Sequence, residues 1–290
     1  MPEARAAVRA LTQQLDLPCP LPCETRDLGS GEAPVPARLY LPSADPTGAV
    51  IVFVHGGGFM LGDLETYDFL CRHLATRTGS RVLAPDYRLA PEHTFPAAFT
   101  DVLTTVSWVG TSPAVLGAPT RIVALAGDSA GGALCASCAG TLQAAAGNAI
   151  GALLLLYPVT DLSSRTASYQ RFATGFLLES AAMELFVRSY TPNPTDRRDP
   201  RASPLLQRDL SRMPRTTLLT CGLDVLRDEG RDYASRLVAA GIETFYREAR
   251  GQIHGMATLR GALPSARPVL DEVIDSFARQ IARSVQERGE

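Results

Sequence analysis

The sequence predicts an α/β fold: a mainly parallel central sheet flanked by helices, with a small helical cap. Three observations carry this. Short apolar runs alternate with longer amphipathic ones, the pattern of strands and crossover helices in a parallel sheet. Glycine-rich turns follow directly on two of those runs, at 55–58 and 127–132. The chain has 290 residues, 46% hydrophobic and 20% charged, which suffices to bury a large core and argues against disorder.

Taken in order, residues 49–54 (Ala-Val-Ile-Val-Phe-Val), 81–85, 121–126, 150–157, 216–221 and 243–247 read as strands. Helices are expected between them, near 65–78, 94–109, 130–146 and 226–240. Val269, Val273, Phe277 and Ile281, spaced by four, mark the buried face of a closing helix. Residues 24–28 and 36–41 read as antiparallel edge strands. Two segments break the alternation. Residues 1–20 hold an amphipathic helix with Val8, Leu11 and Leu15 on one face, ending at Pro18. Residues 163–213 intrude between the fourth and fifth strands, with helix near 181–190 and a loop rich in Pro, Arg and Asp from 192 to 204. An insertion of this size above a sheet is commonly a lid. The expected division is therefore a core of 23–162 and 214–290, capped by 1–22 and 163–213.

Composition excludes several chemistries. Lys+Arg 28 against Asp+Glu 30 leaves a net charge of −2 and no basic stripe, so no nucleic-acid partner is expected. Every one of the 28 cations is Arg, which removes Schiff-base chemistry, pyridoxal-phosphate attachment, a Walker A lysine and a Ser–Lys dyad. The cysteines are Cys19, Cys23, Cys71, Cys135, Cys138 and Cys221. A chain this long folds without staples, its N-terminus lacks an apolar leader core, and its most apolar stretch, 149–159, is too short to span a bilayer. The expectation is a cytoplasmic protein with reduced thiols and no membrane span. Cys135 and Cys138 have redox spacing, but inside a predicted helix they pack as small hydrophobes. No cluster of His, Cys and carboxylates has zinc spacing, so neither metal nor other cofactor is expected.

Gly127-Asp-Ser-Ala-Gly-Gly132 joins a strand to a helix. In G-x-S-x-G the serine occupies a strained turn, and glycines two residues away on each side relieve the clash. The string alone is weak, arising by composition about 0.12 times in such a chain; its placement between strand and helix is the stronger signal. His55-Gly-Gly-Gly58, which composition yields about 0.002 times, follows the first buried strand in the same way. Three glycines let backbone N–H groups approach a ligand, as an oxyanion hole requires. A nucleotide-phosphate loop would need other spacings, which do not occur here. Asp224 follows the fifth strand and His254 the sixth, so Ser129, Asp224 and His254 stand in the order of an α/β-hydrolase triad, each past the C-terminal end of a strand. Asp224 could instead cap a helix, with Asp228 or Glu229 as the acid; proximity to the strand end favours Asp224. Phe172, Phe176, Leu177, Leu178 and Phe186 in the insertion either line a substrate pocket or glue the cap to the core. Arg88 and Glu92 are expected to pair with each other.

Residues 55–59, 87–92 (Tyr-Arg-Leu-Ala-Pro-Glu), 95–98, 127–132, Tyr157-Pro158, 203–205, 224–229 and His254-Gly255 together resemble the hormone-sensitive-lipase-like esterases, the family IV bacterial lipolytic enzymes of GDSAGG type. The similarity runs from about 36 to 285. It implies an α/β-hydrolase core, a helical cap and carboxylester hydrolysis with a preference for short acyl chains. Carried over, Ser129 is the nucleophile, His254 the base and Asp224 its partner, with Gly57, Gly58 and Ala130 supplying oxyanion N–H groups. Two departures stand out: the N-terminal arm is short, which predicts a reduced cap and a more open site, and Gln252 and Met256 replace more usual neighbours of the histidine.

The expected function is that of a serine carboxylesterase acting on small esters through an acyl-enzyme. An amide or N-acetyl hydrolase would use the same triad. A non-catalytic small-molecule receptor is the remaining alternative; gibberellin receptors resemble this family but lack the histidine that His254 supplies here. The fold analogy also suggests a homodimer through the last strand and helix.

Overall fold

The computed structural model describes residues 1–18, 23–45, 47–144 and 150–289. Cys19, residues 145–146 of the helix expected over 130–146, and residues 19–22 of the expected cap lie outside them. Eight strands form a single sheet: β1 (Cys23–Leu28), β2 (Ala37–Pro42), β3 (Ala49–Val54), β4 (Arg81–Pro85), β5 (Ile122–Asp128), β6 (Ile150–Leu156), β7 (Arg215–Leu223) and β8 (Thr244–Ile253). Their order is β1-β2-β4-β3-β5-β6-β7-β8. The first two pairings are antiparallel, and every pairing from β4–β3 onward is parallel.

The helices are α1 (Pro2–Leu15), α2 (Asp68–Thr78), α3 (Ala97–Gly110), α4 (Ala130–Ala144), α5 (Ala167–Arg171), α6 (Ser180–Tyr190), α7 (Arg227–Ala239) and α8 (Ala266–Gly289). All six residues of β3 are buried, as a strand covered on both faces requires. Val50, Val52 and Val54 point into one core, with Val102 of α3, Leu134 of α4 and Leu237 of α7. Ile51 and Phe53 point into the other, with Leu74 of α2 and Phe277 of α8. That two-residue alternation explains the uninterrupted apolar run in the sequence. The expected stripe on the closing helix holds: Val273, Phe277 and Ile281 are fully buried and Val269 packs at its edge.

Some expectations need correction. β8 extends six residues past 247, to Ile253, with a register shift beside Cys221 and Leu223. It lies at the sheet edge, where outward Glu248 and Arg250 interrupt the apolar pattern that betrays inner strands. Arg88 and Glu92 do not pair. The segment between them is an irregular loop, so four-residue spacing does not align them as it would on a helix. Arg88 instead grips Asp101 (Nη2–Oδ1 2.7 Å), while Glu92 receives Arg5 of α1 (2.7 Å).

The insertion returns to the core through Ser203. Its hydroxyl donates to the Arg197 carbonyl (2.6 Å) and accepts the Leu162 N–H (2.8 Å), joining the departing chain to the returning one. Cys71, Cys135, Cys138 and Cys221 are buried thiols outside any disulfide; Cys135 donates to the Ala126 carbonyl. Among the described residues no helix is long and apolar enough to cross a membrane.

Candidate active site

The parallel strands β3, β5, β7 and β8 all end at the same edge of the sheet, and the chemically interesting residues follow those ends. Between β5 and α4 the chain reverses within a single residue, Ser129, whose φ is +51°. A non-glycine residue there is strained and persists only where its surroundings over-determine it. The surroundings do so here. The Ser129 N–H donates to the Leu156 carbonyl (2.8 Å), and the Ser129 carbonyl accepts the Val159 N–H (3.1 Å). A Cβ on Gly131 would fall 2.0 Å from the Val54 carbonyl oxygen, and one on Gly127 2.5 Å from the Gly131 oxygen. Both glycines are therefore demanded by close backbone approach.

His254 stands in the turn after β8, buried. Its Nε2 lies 2.8 Å from Ser129 Oγ and its Nδ1 2.8 Å from Asp224 Oδ2. Asp224 does not cap α7, whose N-cap is Leu226 without a side-chain cap; Oδ1 accepts the Leu226 N–H (2.9 Å) in the turn before the helix, while Oδ2 faces the imidazole. The other two acids point elsewhere. Asp228 pairs with Arg227 and accepts the Ser168 N–H. Glu229 is buried and accepts the Thr160 N–H (2.6 Å). Burial pushes its carboxyl up to about 8. The Tyr157 ring tilts against His254 at 4.8 Å, and its hydroxyl accepts the Ala257 N–H, steadying the histidine turn.

Opposite Ser129 lies the glycine loop. Gly57 (φ +109°) and Gly58 (φ +63°) both occupy the left-handed region. A Cβ on Gly57 would meet the Leu61 carbonyl oxygen at 2.2 Å, because the Leu61 N–H donates to Gly57 O (2.8 Å) in a tight turn. Buried His55 stacks on Tyr87 (4.3 Å between ring centres), whose hydroxyl donates to the His55 carbonyl. Desolvation lowers the His55 pKa to about 4, so this ring is neutral and structural. Ala130 opens α4, where the first N–H groups have no partner within the helix.

Gly57, Gly58, Ser129 and His254 border a cavity of about 420 Å³. Leu177 and Phe186 stand on its wall, as do Leu178 and Met183. Phe172 and Phe176 do not; they meet edge to face at 5.4 Å and back the wall, with Arg227 over the Phe172 ring. The N-terminal helix α1 reaches the cavity through Val8, Leu11 and Leu15, the same face the sequence marked.

Asp128 and Tyr67 are among the wall residues that the sequence did not single out. Asp128, between Gly127 and Ser129, is buried beside Ser129 and accepts from the Tyr67 hydroxyl (3.3 Å). Desolvation pushes its carboxyl up to about 6. The signal for Asp128 was inside the motif; Tyr67 had none.

Comparison with known proteins shows the family and the fold. The model of a family with the α/β-hydrolase fold matches residues 51–258. An ethyl acetate hydrolase of Pseudomonas putida is 35% identical, covering 96% of this chain and 88% of that one. The carboxylic ester hydrolase LipN of Mycobacterium tuberculosis is 36% identical over 97% of this chain and 76% of its own. Among solved structures, the thermostable carboxylesterase EstE1, cloned from a metagenomic library, superposes with a TM-score of 0.89 at 33% identity, covering 96% of this chain and 97% of that one.

Proposed function

The chain belongs to the α/β-hydrolase family, among its hormone-sensitive-lipase-like carboxylic ester hydrolases, and from that premise we propose that Ser129, His254 and Asp224 are its catalytic triad. The observation that carries the reading is the relay at 2.8 Å on both sides of His254, with Ser129 held at positive φ. His254 Nε2 removes the Ser129 proton as Oγ attacks the ester carbonyl. Asp224 Oδ2 holds the Nδ1–H and balances the imidazolium that forms. The N–H groups of Gly57, Gly58 and Ala130 receive the oxyanion. The imidazolium then protonates the departing alcohol, and water, activated by the same nitrogen, hydrolyses the acyl-enzyme.

The cap in this reading comprises residues 1–22 and 163–213, with Leu177 and Phe186 touching substrate and Phe172 and Phe176 supporting them. A cavity of about 420 Å³ that must hold both acyl and alcohol parts favours small esters. β8 is an edge strand carrying half-exposed Tyr246, with exposed Val238 on the neighbouring helix, and we assign this edge to a homodimer. Four buried reduced thiols fit a cytoplasmic setting.

The test is hydrolysis of p-nitrophenyl esters from acetyl to dodecanoyl, beside p-nitroacetanilide, for the wild type and Ser129→Ala. Turnover should peak on short acyl esters, and the variant should fall about 10⁴-fold or more with its melting temperature unchanged. Silence on esters with cleavage of the anilide would make the enzyme an amidase. Ester turnover surviving in Ser129→Ala would refute the triad.

A further inference from the structure

One face of α6 grips the glycine loop at two consecutive residues. A Cβ built on Gly58 would lie 2.3 Å from Phe186 Cγ and 2.4 Å from Cδ2, so the Phe186 ring occupies the space a side chain at 58 would fill. One helical turn later, Tyr190 stacks face to face on Phe59, with ring centres 3.9 Å apart and planes within 4°. Spacing of i and i+4 places both rings on one side of the helix.

The loop needs such a clamp. Gly57, Gly58 and Phe59 have φ of +109°, +63° and +64°, and Phe59 is a bulky residue in a region it rarely adopts. Its carbonyl accepts the Ala90 N–H (2.8 Å), while Tyr190 is itself fixed by the Phe95 N–H to its carbonyl (2.8 Å). The Tyr190–Phe59 contact is buried, whereas Phe186 is half-buried and also borders the cavity. The insertion therefore touches the loop in two ways: an anchor at Phe59, and at Gly58 a ring standing against the peptide unit proposed to receive the oxyanion.

We propose that Phe186 is a positioning residue for the oxyanion loop, holding the Gly58 peptide so that its N–H points at the reacting carbonyl. This rests on the assignment of Gly57 and Gly58 as oxyanion donors. The cap then does more than enclose substrate, because moving α6 away from the core unclamps the loop.

The experiment compares wild type, Phe186→Ala, Phe186→Leu and Phe186→Tyr on p-nitrophenyl acetate and hexanoate. It adds inhibition by an alkyl trifluoromethyl ketone: addition of Ser129 Oγ to its carbonyl carbon, with the hydroxyl proton passing to His254, gives a hemiketal whose former carbonyl oxygen mimics that of the tetrahedral intermediate. Losing a single oxyanion donor outright costs about 10²–10³ in kcat, so a loosened one should cost about 10–100-fold. Phe186→Ala and Phe186→Leu should lose kcat to that extent on both esters alike, KM should move less than kcat, and ketone affinity should fall in step with kcat/KM. Phe186→Tyr, which keeps the ring, should recover most of the activity. Leu185→Ala, on the exposed side of the same helix, controls for general loosening of α6. If the variants change only KM and chain-length preference, with kcat on acetate intact, Phe186 is cavity wall alone and the proposal is overturned. Stoichiometric labelling of the wild type, but not of Ser129→Ala, by a p-nitrophenyl phosphonate keeps the two questions apart. Without it the triad reading itself has failed.

Discussion

The floor and the roof of the cavity are built by different physics. On the floor, residues 55–62, 127–132 and the turn at His254 are fixed by backbone: positive φ at Gly57, Gly58, Ser129 and Gly255, and approaches too close for any Cβ at Gly57, Gly127 and Gly131. The roof, α1 and the insertion, contributes apolar side chains such as Val8, Leu11, Leu177 and Met183, and is tied down by ion pairs and stacked rings. Catalysis needs atoms placed to tenths of an ångström, which crowded backbone supplies. Enclosure needs only shape, which side chains supply.

Alanine at two glycines breaks that comparison most directly. In Gly131→Ala the new Cβ would sit 2.0 Å from the Val54 carbonyl oxygen and 2.6 Å from that of His55, and neither can yield without shifting the glycine loop. Hydrolysis should vanish and stability should drop by about 3 kcal/mol or more. On the roof, Gly175 has φ +84° and no atom within 4 Å of an added Cβ. Gly175→Ala should cost about 1 kcal/mol of backbone strain and leave kcat as it is. Thermal melts and turnover on p-nitrophenyl acetate decide; near-wild-type activity in Gly131→Ala would erase the distinction.

The next largest effect is expected where the roof borrows the floor's rigidity. Asp16, just past α1, makes a buried two-pronged pair with Arg260 (2.6 and 2.9 Å), six residues beyond His254. The Gly261 and Ala262 N–H groups donate to the Leu15 carbonyl beside it. Removing one partner of a buried pair strands the other charge, at a cost of about 3–5 kcal/mol. Asp16→Ala should therefore lower the urea midpoint clearly. An unchanged midpoint would mean that α1 hangs on the core by its apolar face alone.

Glu229 tests the junction from which the insertion leaves β6. Its carboxyl, held at about 8 by burial, accepts the Thr160 N–H and remains protonated in the folded protein at neutral pH. Unfolded, it ionises at about 4.3. Between these values the folded state keeps a proton the unfolded chain has lost, so stability attributable to this group falls as pH rises from roughly 4.5 to 8. Glu229→Gln, neutral throughout, should flatten that decline and be more stable than the wild type toward pH 8. Parallel stability–pH curves for the two proteins would contradict it.

What the sequence revealed follows the same division. The elbow and the glycine loop were legible because their constraint is local: an absent Cβ or a positive φ is written as glycine within six residues. Asp224 and His254 were legible because strand ends in a parallel sheet converge on one edge. The roof was legible only as amphipathic segments. Spacing could not tell that Phe186 faces the cavity while Phe172 backs it, since both are aromatic residues in one insertion. Nor could it pair Asp16 with Arg260, 244 residues apart, or turn Arg88 toward Asp101 instead of Glu92. Such contacts depend on where loops land in space, and a run of polar residues carries no mark of it.

The smallest effect is expected at the other end of α1, and it sharpens the contrast with Asp16. There Arg5 reaches Glu92 and the Met60 carbonyl, and Arg9 meets Asp63, next to the glycine loop. Arg9 is 46% exposed, so water and salt screen the contact. Exposed pairs contribute about 0.2–1 kcal/mol, and the screening length shrinks from about 10 Å at 0.1 M salt to about 3 Å at 1 M. Arg9→Ala should change the melting temperature by no more than about 2–4 °C. Any rise in KM should appear at low salt and fade at 1 M, as the wild type loses the same contact. The Asp16→Ala defect, which is buried, should persist at both salt concentrations. A salt-independent Arg9→Ala defect would instead mean that this end of α1 is held by packing, with the two ends of the helix anchored alike.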